Sequence, residues 1–183
     1  MIPLAVIGIV VLLTVGWFIS VYNTLVKRRN RVQNSWAQID VQLKRRFDLV
    51  PNLVETVKGY AAHEKDVLEK VTQARSMVQS AQSLEQRQQA ENMLTDTLRS
   101  LFAVAEAYPQ LQANQNFMEL QRELSDLEAK IAFARQFFND TTMNYNTEIQ
   151  SFPNNILAGM FNFQAMPYFQ VDEVQRQAVQ VKF

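Results

Sequence analysis

Cysteine is absent from this sequence of 183 residues, and histidine occurs only once, at His63. Without cysteine the chain forms no disulfide and no cysteine-ligated zinc site, and it has no N-terminal cysteine to carry a lipid. A single histidine cannot supply the two that a His-Glu-x-x-His zinc helix or a di-iron bundle needs. Glycine is scarce, and neither a phosphate-binding glycine-rich loop nor a Gly-x-Ser-x-Gly elbow is present. We therefore predict no cofactor, no metal and no enzymatic activity, and we interpret His63 as a surface residue near a helix junction.

Charge is missing from the first part of the chain. No acidic, basic or histidine residue occurs between Ile2 and Val26. At about 1.5 Å per residue, this stretch is long enough to cross a hydrocarbon core of roughly 30 Å. Trp17 and Tyr22 lie where an interfacial aromatic belt is expected. A cleaved signal peptide would have a basic segment before the apolar run and a small-residue cleavage site after it, and neither is present. Residues 1–26 are therefore predicted to be a transmembrane anchor.

Basic residues follow this anchor immediately: Lys27, Arg28, Arg29 and Arg31. Because positive charge next to a span stays on the cytoplasmic side, we expect the N-terminus outside and the domain in the cytoplasm, at the inner membrane. The same four residues are predicted to contact anionic headgroups of the bilayer. The chain as a whole is neutral, and no exposed face that interleaves basic and aromatic residues is evident. We expect no nucleic acid and no small-molecule substrate as a partner.

The remainder is predicted to be all-α, as an elongated antiparallel bundle over residues 27–151. Pro51 interrupts the first apolar stripe and is expected to kink or end its helix, with Asp48 capping a restart. Ser83 followed by Gln86 resembles a capping box and opens another helix, which ends near Tyr108–Pro109. Apolar positions step by three and four from Phe117 to Tyr145. This pattern is typical of a long helix with a coiled-coil-like seam.

Residues 152–183 change in character and are rich in aromatic and methionine side chains. One interpretation is a capping segment folded back over the bundle. The other is a partner-binding or membrane-inserting face, for which the candidates are Phe161, Phe163, Tyr168 and Phe169. The last residues, 178–183, alternate like a short strand.

A polar cluster surrounds Pro51. Its candidate partner-binding residues are Arg45, Arg46, Asp48, Asn52 and Glu55. The structural interpretation is a polar helix face with intrahelical pairs, and the functional one is a docking surface for a helix or for headgroups.

Several segments resemble the LemA family. The resemblance rests on residues 22–30 (YNTLVKRRN), 40–64 (DVQLKRRFDLVPNLVETVKGYAAHE), 105–109 (AEAYP), 113–117 (ANQNF) and 152–155 (FPNN), and on the pairs at 134–135 and 145–146. It implies a bacterial, membrane-anchored α-helical protein with no established enzymatic activity. Relatives with a lipoprotein cysteine would carry the domain on the extracytoplasmic side, which is the alternative topology here.

Three functions remain open. The first is a membrane-anchored scaffold or interaction module that forms a homo-oligomer or recruits a protein partner. The second is an accessory subunit of a membrane enzyme or an envelope-stress system. The third is a lipid-surface sensor that uses Lys27–Arg31 and the aromatic tail.

Overall fold

The computed structural model describes residues 2–169, with side chains from Val6 onward. The described part of the chain is helical, which confirms the all-α prediction. The strand predicted at 178–183 lies outside the described residues. The helices are α1 (Ile2–Lys58), α2 (Lys65–Ser80), α3 (Leu84–Ala105), α4 (Pro109–Gln112), α5 (Gln115–Gln150) and α6 (Asn154–Met160).

Helix α1 contains the apolar anchor and continues into the bundle without a break. From Val6 it includes an 18-residue window with a mean hydropathy of 2.0, and no part of that window is buried. Its length and composition suit a membrane span. The described residues thus contain one helix that is long and apolar enough to cross a membrane.

Pro51 lies inside α1, so the expectation that the helix ends there is wrong, and Asp48 is an interior helical residue instead of a cap. A proline lacks the N–H that would bond the carbonyl four residues earlier, here that of Phe47. Arg75 of α2 replaces this donor: its Nε donates to the Phe47 carbonyl at 3.3 Å. The Arg75 guanidinium also lies 4.0 Å from the centre of the Phe47 ring. A tertiary contact therefore satisfies the carbonyl that the proline leaves free.

The capping box opens α3 as predicted. Ser83 Oγ accepts a hydrogen bond from the Gln86 backbone N–H at 3.1 Å. The Gln86 side chain reaches back to the N–H of Gln82, one residue before the cap, at 3.0 Å. Asn114 has the same role for α5, because its Oδ1 accepts from the Phe117 N–H at 2.9 Å. These side chains fix where the two long helices begin.

The chain divides into two compact units, which are described separately. Residues 2–39 and 134–168 form the anchor unit, and residues 40–133 with Phe169 belong to the bundle unit. This division differs from the boundaries drawn from sequence at 26 and 151, because α1 and α5 each contribute to both units.

The core of the bundle unit is apolar and comes from five helices. The short Ala81–Ser83 connection makes α2 and α3 antiparallel neighbours. The seam predicted on α5 is largely buried here and in the anchor unit. The fully buried core residues of the bundle unit include Leu53, Val57, Val71, Ala74, Leu94, Leu101 and Leu111.

In the anchor unit, α5 lies beside the first part of α1. The rings of Trp36 and Phe138 meet edge to face with centroids 5.6 Å apart. Beyond α6, the chain from Phe161 to Met166 packs back on both helices. Tyr145 Oη donates to the Gln164 carbonyl at 3.0 Å. Asn146 bonds both backbone groups of Met166, accepting from its N–H and donating to its carbonyl, each at 2.9 Å.

Candidate functional site

The polar cluster predicted around Pro51 is divided between two faces of α1. Arg45, Asp48, Asn52 and Glu55 are exposed. Glu55 forms an exposed ion pair with Lys58 one turn away, which is the kind of intrahelical pair the structural interpretation expected. Asn52 lines a shallow groove that also contains Glu119 and Glu123 of α5.

Arg46, by contrast, is fully buried and does not belong to a docking surface. The reason is its position: it stands three residues after Leu43 and four before Val50, both of which are in the core. Its guanidinium forms ion pairs with Glu91 of α3 and Glu128 of α5. It therefore joins three helices inside the bundle unit.

The remaining hydrogen bonds of Arg46 go to α3. Its Nη1 donates to Thr95 Oγ1 at 2.7 Å, and its Nη2 donates to the backbone carbonyl of Glu91 at 3.2 Å. On the other side of Glu91, Arg87 Nε donates to Oε1 at 2.9 Å. Arg87 also lies 3.4 Å from Asp40 of α1.

This ion cluster, defined by Arg46, Arg87, Glu91 and Glu128, puts opposite charges in contact within the core. Desolvation of such groups is costly, so a buried pair adds little net stability against an apolar replacement, but removal of one partner is strongly destabilising. Both carboxylates are held by arginines. The cluster thus specifies which faces of α1, α3 and α5 meet.

Sequence reasoning missed this cluster, although one signal was available. Arg46 has a core residue three positions before it, Leu43, and another four positions after it, Val50. Glu91 likewise stands three residues before the core residue Leu94. A charged residue on an apolar stripe indicates a buried charge that needs a partner. The identity of that partner depends on how helices that are far apart in sequence pack together.

A groove between α3 and α5 lies directly over this cluster. It encloses about 480 Å³, and Thr95 and Glu128 belong to both the groove and the cluster. Its floor is apolar, and Arg99 and Arg122 are exposed at its rim. The residues that line it are Thr95, Leu98, Arg99, Phe102, Met118, Gln121, Arg122, Leu124, Ser125 and Glu128.

Two further polar contacts join the loops of the bundle unit. Tyr108 Oη donates to Glu64 Oε1 at 2.8 Å, and Asn114 Nδ2 donates to Tyr60 Oη at 2.9 Å. The hydrogen bond to Glu64, followed by burial and by the charge of the same carboxylate, raises the pKa of Tyr108 above its ordinary value. These residues belong to the segments that carried the family resemblance, and here they fix loop geometry.

The four basic residues after the anchor have different surroundings. Lys27 and Arg31 are exposed, whereas Arg28 and Arg29 are partly buried. The Arg29 guanidinium lies 5.2 Å from the centre of the Phe163 ring, and that of Arg31 lies 5.9 Å from the Phe137 ring. Two of the four thus contact aromatic side chains of the anchor unit.

The four aromatic residues predicted as candidates for partner binding also differ in exposure. Phe161 and Tyr168 are exposed, but Phe163 and Phe169 are buried and unsuited to a free docking face. Phe161 and Phe163 meet the ring of Tyr22, with centroid distances of 4.8 and 5.8 Å.

Tyr145 lies under this segment. Burial raises the pKa of Tyr145, and the nearby charge of Arg29 opposes that shift. The side chain is therefore held as a neutral hydrogen-bond donor.

His63 is exposed at the junction of α1 and α2, as the sequence indicated. Among the described residues, no group of three or more histidine, aspartate or glutamate side chains is arranged to hold a metal ion.

Comparison with a family model and comparison with individual proteins point to the same family. A model of the LemA family matches residues 35–183. The chain is 27% identical over 170 residues to "Protein LemA" of Metamycoplasma hominis, a match that covers 90% of this chain and 78% of that protein.

Two magnetosome proteins of Paramagnetospirillum magneticum, MamQ 1 and MamQ 2, are each 27% identical over 175 residues. These matches cover 81% of this chain but only 64% of each magnetosome protein, which is less than two thirds of their length. None of these names is that of an enzyme. Since the family model covers most of the sequence, the chain belongs to the LemA family.

Proposed function

We propose that this chain is a membrane-anchored, non-enzymatic interaction protein whose α3–α5 groove binds an apolar helix of a partner protein. The groove itself carries the proposal. Its open, apolar floor suits the apolar face of an amphipathic helix, which is a common mode of recognition in helical proteins.

The charges around the groove indicate what the partner helix carries. Glu128 is engaged by buried Arg46, so the free charges on the lining are those of Arg99 and Arg122. Arg99 also lies 3.4 Å from Asp96, but both side chains are exposed and such a pair contributes little. An acidic residue beside the apolar stripe of the partner would complement this rim.

The pairing of Glu91 and Glu128 with arginines favours binding over catalysis as the function of the groove. Glu128, which lines the groove, and Glu91, which is buried beside it, are both engaged by arginine donors. The oxygens of a carboxylate held in this way are already engaged, so it is not free to accept a hydrogen bond from a substrate.

A photocrosslinking amino acid at Met118 in the full-length, membrane-embedded protein tests this function. Met118 is exposed and lines the groove, and Met77 on α2 is another exposed methionine outside it. We expect a protein adduct from position 118 that is weakened several-fold by Arg122→Glu and left unchanged by Lys130→Glu, an exposed reversal on the same helix outside the groove.

Equal adducts from positions 118 and 77, or indifference to Arg122→Glu, would refute the groove as the binding site. An adduct of twice the chain mass would identify a second copy as the occupant and overturn the proposal of a separate partner.

We also propose that the domain faces the cytoplasm at the bacterial inner membrane. The support is the exposed cationic surface of Lys27 and Arg31 immediately after the span. The absence of cysteine makes a single-cysteine test direct. In Ala37→Cys, a membrane-impermeant maleimide should react only after permeabilisation, and the natural chain serves as the blank. Labelling in intact cells would reverse the orientation.

A further inference from the structure

Helix α6 exposes an apolar face. Ile156 and Met160, four residues apart on the helix, are 51% and 67% exposed, and Phe152, two residues before the helix begins, is 81% exposed. The opposite face, with Leu157 and Ala158, is buried. The exposed side also includes Asn155 and Gly159, so it carries one polar and no charged residue, whereas a helix side turned to water is usually polar and charged.

The surrounding sequence carries no charge. Between Glu148 and Asp172 there is no acidic, basic or histidine residue. A charge-free segment with exposed apolar side chains is a poor water-facing surface and a good one for the headgroup–acyl boundary of a bilayer.

The register of α1 and α5 in the anchor unit fixes the level of the start of α6. Trp36 of α1 meets Phe138 of α5. Seven residues before Trp36 and seven residues after Phe138, Arg29 lies close enough to Tyr145 for its charge to act on the Tyr145 pKa. The helices therefore run antiparallel and advance together. One further heptad along α1 reaches Tyr22, about level with the C-terminal end of α5 at Gln150.

The end of α6 is at the same level. Phe161, directly after the helix, meets the Tyr22 ring with a centroid distance of 4.8 Å. Phe161 thus places the end of α6 close to Tyr22 of α1.

Tyr22 has the position expected of a residue at the membrane boundary. It stands within the uncharged span, five residues before Lys27, where a tyrosine is expected at the interface. The exposed apolar face of α6 is therefore continuous with the lipid-facing surface of the anchor.

We propose that α6 lies in the bilayer interface with Phe152, Ile156 and Met160 among the upper acyl chains, as a second lipid contact beside the transmembrane helix. This proposal does not depend on the α3–α5 groove. It goes beyond a single-pass anchor, because it holds the C-terminal end of α5 at the membrane as well as α1.

Depth-dependent quenching in vesicles tests the proposal. The natural chain lacks cysteine, so a fluorophore can be attached at single cysteines in Met160→Cys, Leu12→Cys and Ala37→Cys. Leu12 is an exposed residue in the middle of the span, and Ala37 is exposed on α1 about 16 Å beyond Val26, from the helical rise per residue. Each full-length protein is reconstituted in phosphatidylcholine–phosphatidylglycerol vesicles containing lipids with a shallow or a deep nitroxide.

We expect the label at position 160 to be quenched at least twofold more than the label at 37, and more by the shallow than by the deep nitroxide. The label at 12 should show the opposite depth preference. Quenching at 160 no greater than at 37 would overturn the proposal. Concentration-dependent self-quenching at 160 without lipid quenching would show that a second copy covers α6, and it would overturn the proposal too.

A second variant separates insertion from mere proximity. Ile156→Asp places a charge on the exposed face of α6, and Met143→Asp places one on an exposed site of α5 in the same unit. Shallow quenching of the label at 160 should fall about twofold in the first variant and stay level in the second, with helical circular dichroism unchanged in both. Equal quenching in the two variants would contradict insertion of this face.

Discussion

The bundle unit and the anchor unit bury polar groups by different means. In the bundle unit the interior holds full charges, with Arg46 between Glu91 and Glu128. In the anchor unit the hydrogen bonds that hold the C-terminal segment are neutral, from Tyr145 and Asn146 to backbone atoms. The difference follows from the part of the structure that each set of contacts stabilises. Charges from three helices select which helix faces meet, whereas amide and hydroxyl groups satisfy the backbone of an irregular segment that has no hydrogen-bond ladder of its own.

The strongest test of this comparison removes a charge from the bundle unit. Glu91→Gln keeps the shape of the side chain but leaves Arg46 and Arg87 without their shared carboxylate. We expect unfolding to become easier by about 3–5 kcal/mol, as for other buried pairs that lose one partner. Urea unfolding of the full-length protein in detergent, followed by circular dichroism, measures it.

The matched control is Glu123→Gln, an exposed glutamate on α5, which should change stability by less than about 0.5 kcal/mol. Similar small effects for both substitutions would show that the ion cluster does not specify the bundle.

The corresponding test in the anchor unit is Asn146→Ala. It removes both hydrogen bonds to Met166 and leaves two backbone groups unsatisfied, a loss of about 2 kcal/mol. Because the effect is local, amide hydrogen exchange around Met166 should rise by roughly 30-fold while the bundle unit keeps its protection. Asn144→Ala, an exposed neighbour on the same helix, is the control. Exchange that stays level would contradict the role given to Asn146.

A smaller effect on stability is expected at Arg75 of α2, which donates to the carbonyl that Pro51 of α1 leaves free. Arg75→Met should cost about 1–2 kcal/mol, because the Phe47 carbonyl loses its donor and the ring loses a stacked cation. In the Pro51→Ala background, a backbone N–H becomes available to that carbonyl, and the cost of Arg75→Met should fall by about 1 kcal/mol. Pro51→Ala alone should leave stability level or raised. Additive effects in this double-mutant cycle would show that Arg75 does not compensate for the proline.

The smallest effect concerns pH. The pKa of Tyr108 is raised in the folded protein, so the folded state keeps its proton above the ordinary value of 10.0 while the unfolded state loses it. The stability from this group is therefore complete below pH 10 and is lost as the pH rises through the folded pKa. Tyr108→Phe should flatten that part of the alkaline stability profile. A profile with the same slope in both proteins would exclude the Tyr108–Glu64 contact as its source.

Much of the fold could be read from local patterns. The charge-free run, the Ser83–Gln86 capping box and the heptad seam of α5 depend on neighbours within a few residues, so spacing alone was enough. The expectation that the helix ends at Pro51 failed because the rule about proline concerns an isolated helix. Its lost hydrogen bond was replaced from α2, and no local pattern records that contact.

The candidate site was less predictable for the same reason. Arg46 was selected as a functional residue, but its partners come from residues 45 and 82 positions away in the sequence. The groove over the cluster is formed by α3 and α5, and neither of its walls stands out in the sequence. Similarly, Phe161 and Phe163 look alike in sequence and both meet Tyr22, but in the folded chain Phe163 is buried and also lies against Arg29, whereas Phe161 is exposed.

By itself, then, the sequence determined that this LemA-family chain is all-α, with an apolar N-terminal helix long enough to span a membrane and no cysteine chemistry. Those properties follow from composition and helical period, which act over a few residues. Only the tertiary structure decided which polar residues lie inside, how Pro51 is accommodated in an unbroken α1, and that α6 exposes its apolar side level with Tyr22. Each of these depends on contacts between segments distant in sequence, where burial and the pairing of charges are settled together.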